Sequence, residues 1–493
     1  ARSQKRTVLS ALITINASDV LRVFLSVLTA AYRRMNRAPF RSASCVWKIS
    51  PDIRRALRDV LTVPLYLKSG NGKNLSVSRG CQYMKKFVII GNGVAAAGCI
   101  EGIRSEDSGA MITVVSAEKH PVYCRPLISY YLEGKTDLER IKYRPDSFYS
   151  DNGVNVCYGR KAVRIDAVKK ETELDDGTIL PYDALCIASG SSPFVPPFDG
   201  LDTVEKKFSF MTLDDSLELE KAVSRDSRVL IVGAGLIGLK CAEGLHGRAG
   251  SITVCDLADR VLSSILDAEC ASLMQRRLEE NGISFMLSDS AVRFDGNKAE
   301  MKSGRTVDFD VLVLAVGVRA NISIASEAGA ECGRGIRVDS ELRTTLPGIY
   351  AAGDCTEGMD ISYGDRRVLA ILPNAYMQGR CAGRCMAGGN DTFDNAIPMN
   401  SIGFFGLHAM SAGSYFGADQ GGEMYEKKED GKIKRLFTKD GFLTGFILIG
   451  DTERAGIYTN MIRNRIPLSD VDFELLKENP GLAPFGSVYR TAK

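Results

Sequence analysis

Two glycine-rich turns, each set between an apolar run and a helix-like stretch, constrain this chain more than any other feature. The first reads Val88-Ile89-Ile90-Gly91-Asn92-Gly93 and the second Val229-Leu230-Ile231-Val232-Gly233-Ala234-Gly235-Leu236-Ile237-Gly238. Apolar runs of this kind suit parallel strands buried on both faces. Glycine lets the backbone turn tightly and approach a pyrophosphate, whose charge then meets the N-terminus of the following helix. Strand, glycine turn and helix in this order form a dinucleotide-binding unit. Two such units imply two dinucleotides, and the simplest reason to hold both is to pass electrons between them.

Each unit also needs an acid at the end of its next strand to accept from a ribose diol. After Gly91 the next strand is Met111-Ile112-Thr113-Val114-Val115, followed by Glu118. After Gly233 it is Ser251-Ile252-Thr253-Val254-Cys255, followed by Asp256. Both intervals are close to the expected spacing of about twenty residues.

The 493 residues suffice for three domains, and 45% hydrophobic with 25% charged residues is a globular composition. The net charge of +3 is unevenly spread: residues 1–83 carry 15 Lys or Arg against Asp19, Asp52 and Asp59. The remainder is therefore acidic, and the basic excess does not describe a nucleic-acid surface on the enzyme-like part. The first 83 residues are Arg-rich and acid-poor, as a transit peptide is. Because Met84-Lys85-Lys86 directly precedes the first nucleotide strand, we read 1–83 as a basic extension that is non-native or disordered, with Met84 as the start. The apolar stretch 20–32 contains Arg22 and is too short to span a bilayer, so no membrane partner is expected. Thirteen cysteines without a CxxC fit reduced thiols in a cytoplasm. Cys381 and Cys385 share a helix face, where they read as packed thiols. No metal site is expected.

The fold class expected is α/β, with two Rossmann-like nucleotide-binding domains and a C-terminal α+β interface domain. The first nucleotide domain covers 84–197 and 318–395, the second 198–317, and the interface or dimerisation domain 396–493. The proline-rich 193–197 stretch reads as the linker between the nucleotide domains.

In this order the pieces resemble the FAD- and NAD-dependent pyridine nucleotide–disulfide oxidoreductase superfamily over 84–395. The loop Tyr123-Cys124-Arg125-Pro126-Leu127-Ile128-Ser129 is similar to the branch holding rubredoxin and ferredoxin reductases and the NADH-binding part of nitrite reductases. The resemblance implies that Gly91 and Gly93 approach the FAD pyrophosphate and that Glu118 takes the FAD ribose. Arg125 then faces the pyrophosphate or flavin, Ala188-Ser189-Gly190 matches an Ala-Thr-Gly turn, and Gly353-Asp354 binds the ribityl chain. Gly233, Gly235 and Gly238 serve the second nucleotide, and Gly317 opens the hinge strand leaving that domain. Asp256, which accepts from both ribose hydroxyls and repels a 2′-phosphate, points to NADH.

Departures from the family pattern bear on mechanism. No redox cysteine pair follows Gly91, and Cys124 stands one residue before the position where oxidases and peroxidases carry a single cysteine. Cys124 is therefore a candidate thiol for a peroxidase-type alternative. Relatives pair a Lys after the loop serine with a Glu on the second nucleotide helix, but here those positions are Tyr130 and Lys240. Lys240 is the candidate cation beside flavin or nicotinamide. The expected function is hydride transfer from NADH to FAD, then electrons to a small redox protein or partner subunit. A non-catalytic FAD- and NADH-binding sensor is the rival of a different class, and the C-terminal domain allows a homodimer.

Overall fold

The computed structural model describes residues 66–68, 74–76, 84–415, 417 and 420–486. The chain divides into two units, Ala1–Gln82 and Tyr83–Lys493. In the first, Tyr66–Lys68 and Asn74–Ser76 pair antiparallel, with Leu67 opposite Leu75. The expectation for 1–83 otherwise lies outside the described residues.

The second unit contains two five-stranded parallel sheets. In the first, the strand order is Ile349–Ala351, Ala184–Ile187, Lys86–Ile90, Met111–Ser116 and Val154–Tyr158. Its central strands are buried along almost their whole length, which explains their unbroken apolar runs. The helix α1 (Val94–Glu106) follows the first glycine turn, and the short α2 (Ile128–Leu132) follows the Arg125 loop.

The second parallel sheet runs Lys207–Phe208, Val311–Leu314, Arg228–Val232, Ser251–Asp256 and Ile283–Leu287. It carries α3 (Leu213–Ala222), α4 (Leu236–Leu245) and α5 (Ala268–Glu280). Two short antiparallel strands, Ser191–Pro193 and Val318–Ala320, pair where the chain passes between the two sheets. This is the expected α/β architecture.

The chain returns to the first sheet through α6 (Leu372–Ala387), which lies against α1 with almost no side chain between them. Gly98 and Gly102 of α1 face Tyr376 O and Arg380 O, and Gly379 and Gly383 of α6 face Ala95 O and Cys99 O. A Cβ at any of the four would stand 1.9–2.4 Å from the opposing carbonyl oxygen. The spacing of four residues on both helices puts each glycine pair on one face. This close approach brings the N-termini of α1 and α6 to the same end of the sheet.

The C-terminal part is an antiparallel sheet ordered Met399–Phe404, Leu407–Gly413, Phe442–Ile449, Lys432–Lys439 and Glu423–Glu429. Alternation along its strands gives it two apolar faces. Ile433, Phe437, Ile447 and Ile449 join the core of the second nucleotide sheet. Leu436, Phe446 and Leu448 pack on α7 (Ala455–Arg463) and α8 (Phe473–Glu478) through Tyr458, Met461 and Leu476. Arg435 shares the first face and is buried against α5, where its guanidinium binds Asp267, Glu269 and Glu426. Asp267 is also the N-cap of α5, accepting from the Cys270 N–H. Among the described residues, no helix is long and apolar enough to cross a membrane.

Candidate functional site

The first glycine turn opens on a cavity of about 300 Å³ lined by both nucleotide-sheet loops and the start of α6. Nine of the expected positions line it: Gly91, Gly93, Glu118, Arg125, Ala188, Ser189, Gly190, Gly353 and Asp354. Gly91 has φ +109°, and a Cβ there would stand 2.0 Å from Ala188 O, so only glycine lets the two turns touch. At Gly93 a Cβ meets nothing within 4 Å, which leaves the approach to α1 clear. No side chain caps α1, and none caps α6. Two uncapped helix N-termini at one cavity offer backbone N–H groups to an anion.

Acids and an arginine complete the lining. Tyr123 Oη donates to Glu118 Oε2 at 2.7 Å, and Arg125 Nη2 donates to Glu118 Oε1. Arg125 Nη1 also donates to Tyr123 Oη at 3.2 Å and to Met211 O at 3.0 Å. Burial opposes the Arg125 charge, but Tyr123, Glu118 and Asp354 outweigh it and hold its pKa above the ordinary arginine value. Burial raises the Asp354 carboxyl, against the pull of Arg125 and a 3.4 Å hydrogen bond from Ser191 Oγ. Ser189 Oγ donates to Asn321 O at 2.9 Å, and Asn321 Nδ2 donates back to Ser189 O at 2.9 Å. The turn after the strand Ala184–Ile187 is thereby tied to the crossing strands. Gly353 N donates to the buried Gln378 Oε1 at 2.8 Å, which fixes the Gly-Asp turn to α6.

The second glycine turn repeats the first in geometry. Gly233 has φ +118°, and a Cβ there would stand 2.3 Å from Ala315 O. Gly238 is pressed against Gly233 O, where a Cβ would stand 2.0 Å away, and Gly235 opens onto free space at the uncapped start of α4. Asp256 accepts from Ala234 N at 2.6 Å and from Ala258 N at 2.8 Å, so its carboxylate sits against the turn itself. Arg260, the nearest following cation, is engaged by Asp259 at 2.8 Å. Gly317 has φ +109° with open space around it. These residues form a separate group and do not line the cavity.

Two further expected positions, Lys240 and Cys124, do not line this cavity. Lys240 Nζ donates to Glu243 Oε2 and, at 2.9 Å, to Gly403 O of the C-terminal hairpin. It lies over the Tyr130 and Phe404 rings and does not line the cavity. Glu243 is buried and accepts from Phe405 N at 2.9 Å, so the hairpin claims both members of the pair. Cys124 is half-buried, next to two cavity residues but not lining the cavity. Burial pushes its thiol pKa up against the effect of the Leu127 N–H, so the thiolate needed for peroxide chemistry is disfavoured. Cys381 and Cys385 are buried on α6.

Tyr123 and Met211 are the residues that sequence reasoning passed over. Tyr123 lay inside the quoted loop, but its phenol acts through partners 90 residues away, including Leu213 N at 2.9 Å. No local spacing signals such a contact.

Comparison with known proteins identifies the family and the fold. Residues 85–379 match the pyridine nucleotide-disulphide oxidoreductase family, and residues 398–466 match the rubredoxin NAD+ reductase C-terminal domain. The chain is 33% identical over 395 residues to the NADH-dependent phenylglyoxylate dehydrogenase subunit epsilon of Aromatoleum evansii, covering 78% of this chain and 93% of that one. It is 29% identical to the nitrite reductase [NAD(P)H] of Bacillus subtilis over 78% of this chain, but spans only 48% of that protein. The fold matches the putidaredoxin reductase–putidaredoxin complex with a TM-score of 0.73 at 21% identity, covering 80% of this chain and 95% of that one.

Proposed function

The chain belongs to the pyridine nucleotide-disulphide oxidoreductase family, and from that premise we propose that it is an NADH:acceptor reductase delivering electrons to a small redox protein or partner subunit. It is a flavoprotein oxidoreductase that uses FAD and NADH. FAD, when bound, supplies the hydride-accepting ring and passes electrons onward. The chain's own residues bind, orient and exclude.

On this reading Gly91 and Gly93 admit the FAD pyrophosphate to the N-terminus of α1, and Arg125 sets a fixed positive charge beside it. Glu118 keeps acceptor capacity for ribose hydroxyls even while bound by Tyr123 and Arg125, because a carboxylate has about four lone-pair sites. Ala188, Ser189 and Gly190 continue the lining beside Gly91, and Gly353 and Asp354 hold the chain leading to the ring. Gly233, Gly235 and Gly238 seat NADH, with Asp256 disfavouring a 2′-phosphate. The observation that carries the reading is the repeated turn: Gly91 against Ala188 O and Gly233 against Ala315 O, each before an uncapped helix. The acceptor assignment is supported by the rubredoxin reductase-type C-terminal match and by a relative named as a subunit of a larger dehydrogenase.

The test is an NADH-oxidation screen over rubredoxin, ferredoxin, oxygen, peroxide and disulfides, using protein with bound FAD. The expected result is fast bleaching of the flavin by NADH, with highest turnover on an iron–sulfur protein. Dominant peroxide turnover that disappears in Cys124→Ser would replace this reading with a peroxidase. Bleaching with no turnover on any acceptor would favour a sensor.

A further inference from the structure

Residues 209–212 join the strand Lys207–Phe208 to α3 and carry Met211 into the lining of the cavity. Three ties fasten this segment and the first turn of α3 to the 118–125 loop. Arg125 Nη1 donates to Met211 O at 3.0 Å, Leu213 N donates to Tyr123 Oη at 2.9 Å, and the His120 ring pairs with Asp214 Oδ1 at 2.7 Å. The segment is also held in shape from within. Asp215 Oδ2 accepts from Ser209 Oγ at 2.9 Å and from Met211 N and Thr212 N at 3.0 Å each, while Thr212 Oγ1 accepts from Asp215 N at 3.0 Å. This is a complete capping box at the start of α3.

Tyr123 is therefore a shared post. Its hydroxyl donates to Glu118 and accepts from both Arg125 and the strap backbone. The residues assigned to the cofactor and the segment carrying Met211 are parts of one hydrogen-bonded network.

We infer that residues 209–215 are a strap across the FAD cavity, fastened by Tyr123, Arg125 and His120, and that FAD enters and leaves only when the strap lifts. The inference rests on the cavity being the FAD site. A strap of this kind raises one barrier shared by uptake and release. Loosening it speeds both and leaves the dissociation constant nearly unchanged, whereas removing a simple binding contact speeds release alone.

Asp215→Ala unpins the strap without touching the cavity or the 118–125 loop. Exchange of bound FAD against excess labelled FAD is then measured on the holoprotein, together with the FAD dissociation constant. The expected result is exchange about tenfold faster in Asp215→Ala, which removes the acceptor shared by Ser209 Oγ, Met211 N and Thr212 N, with Kd within about twofold. Asp214→Asn, an exposed change that does not endanger folding, gives about threefold by weakening the His120 tie. Unchanged exchange in both variants overturns the strap. Exchange and Kd rising in parallel also overturns it, since that pattern marks lost contacts. A wild-type protein that holds no FAD overturns the cavity assignment itself, and the strap with it.

Discussion

The Lys240 ammonium lies 4.8 Å from the centre of the Tyr130 ring. The two positions where the family pattern sets a glutamate and a lysine thus still meet, but with the charge moved to the second nucleotide helix and an aromatic face opposite it. The same ammonium bonds Glu243 and Gly403 O, so it joins α2, α4 and the C-terminal hairpin. Lys240→Met leaves Glu243, only 4% exposed, with the Phe405 N–H as its remaining partner. Unfolding in urea should show a loss of about 2–3 kcal/mol, as for a broken buried pair. Adding Glu243→Gln to the same chain should recover more than half of that loss. Flavin reduction by NADH should change by less than about twofold in the single variant, because Lys240 is engaged by Glu243 and Gly403 O and does not line the cavity.

Asp256→Asn tests the nucleotide choice. The amide keeps an acceptor for Ala234 N or Ala258 N, so the turn survives while the negative charge is lost. We expect kcat/KM for NADH to fall about tenfold and that for NADPH to rise, narrowing the preference from both sides. Steady-state kinetics with each nucleotide decides it, and an unchanged NADH to NADPH ratio would remove Asp256 from the selection.

Gly379→Ala places a methyl group where Ala95 O stands 1.9 Å away. Backbone faces backbone there, so the helices must separate. The cost should be about 3 kcal/mol, visible as a lower melting temperature and a reduced FAD content. Gly456→Ala in α7 is the matched control: nothing lies within 4 Å of its Cβ, and the helix should gain up to about 1 kcal/mol.

The Arg435 cluster predicts acid sensitivity. Asp267 and Glu426 are held below their ordinary values of 3.8 and 4.5, with burial opposing and the Arg435 hydrogen bond prevailing. A depressed carboxyl favours the folded state above its ordinary pKa, and that advantage is lost as pH falls through the folded value. Wild-type stability should therefore decline below about pH 4.5, and Arg435→Met should flatten that decline. At pH 7 the same variant should lose only about 1 kcal/mol, because the three acids are partly exposed and Lys428 still pairs Glu269 and Glu426. Urea midpoints at pH 7, 5 and 3.5 give both quantities.

The parallel sheets and glycine turns were legible because their signals are local: an apolar run, a glycine, a helix and an acid within about thirty residues. The nine cavity positions followed from that frame together with the family pattern. The partners of Lys240 and Glu243 were not legible, since nothing within α4 announces that a later hairpin will supply Gly403 O to the one and Phe405 N to the other. Tyr123 escaped for the same reason. The paired glycines at 98, 102, 379 and 383 were readable in principle, as equal spacings on two helices, yet their pairing emerges only when the helices are set side by side.

The close contact of α1 and α6 has a mechanical consequence. With carbonyls standing against glycine Cα atoms, the helices are joined through Cα–H···O contacts and main chain, which have no rotamers to relax. Their two N-termini cannot shift independently, so one wall of the cavity is stiff. The opposite wall, formed by Met211 and the loop carrying Tyr123, is held by side chains, which can let go one at a time. On the strap inference, the movement that admits the cofactor falls on the Met211 side of the cavity and leaves the paired helices in place.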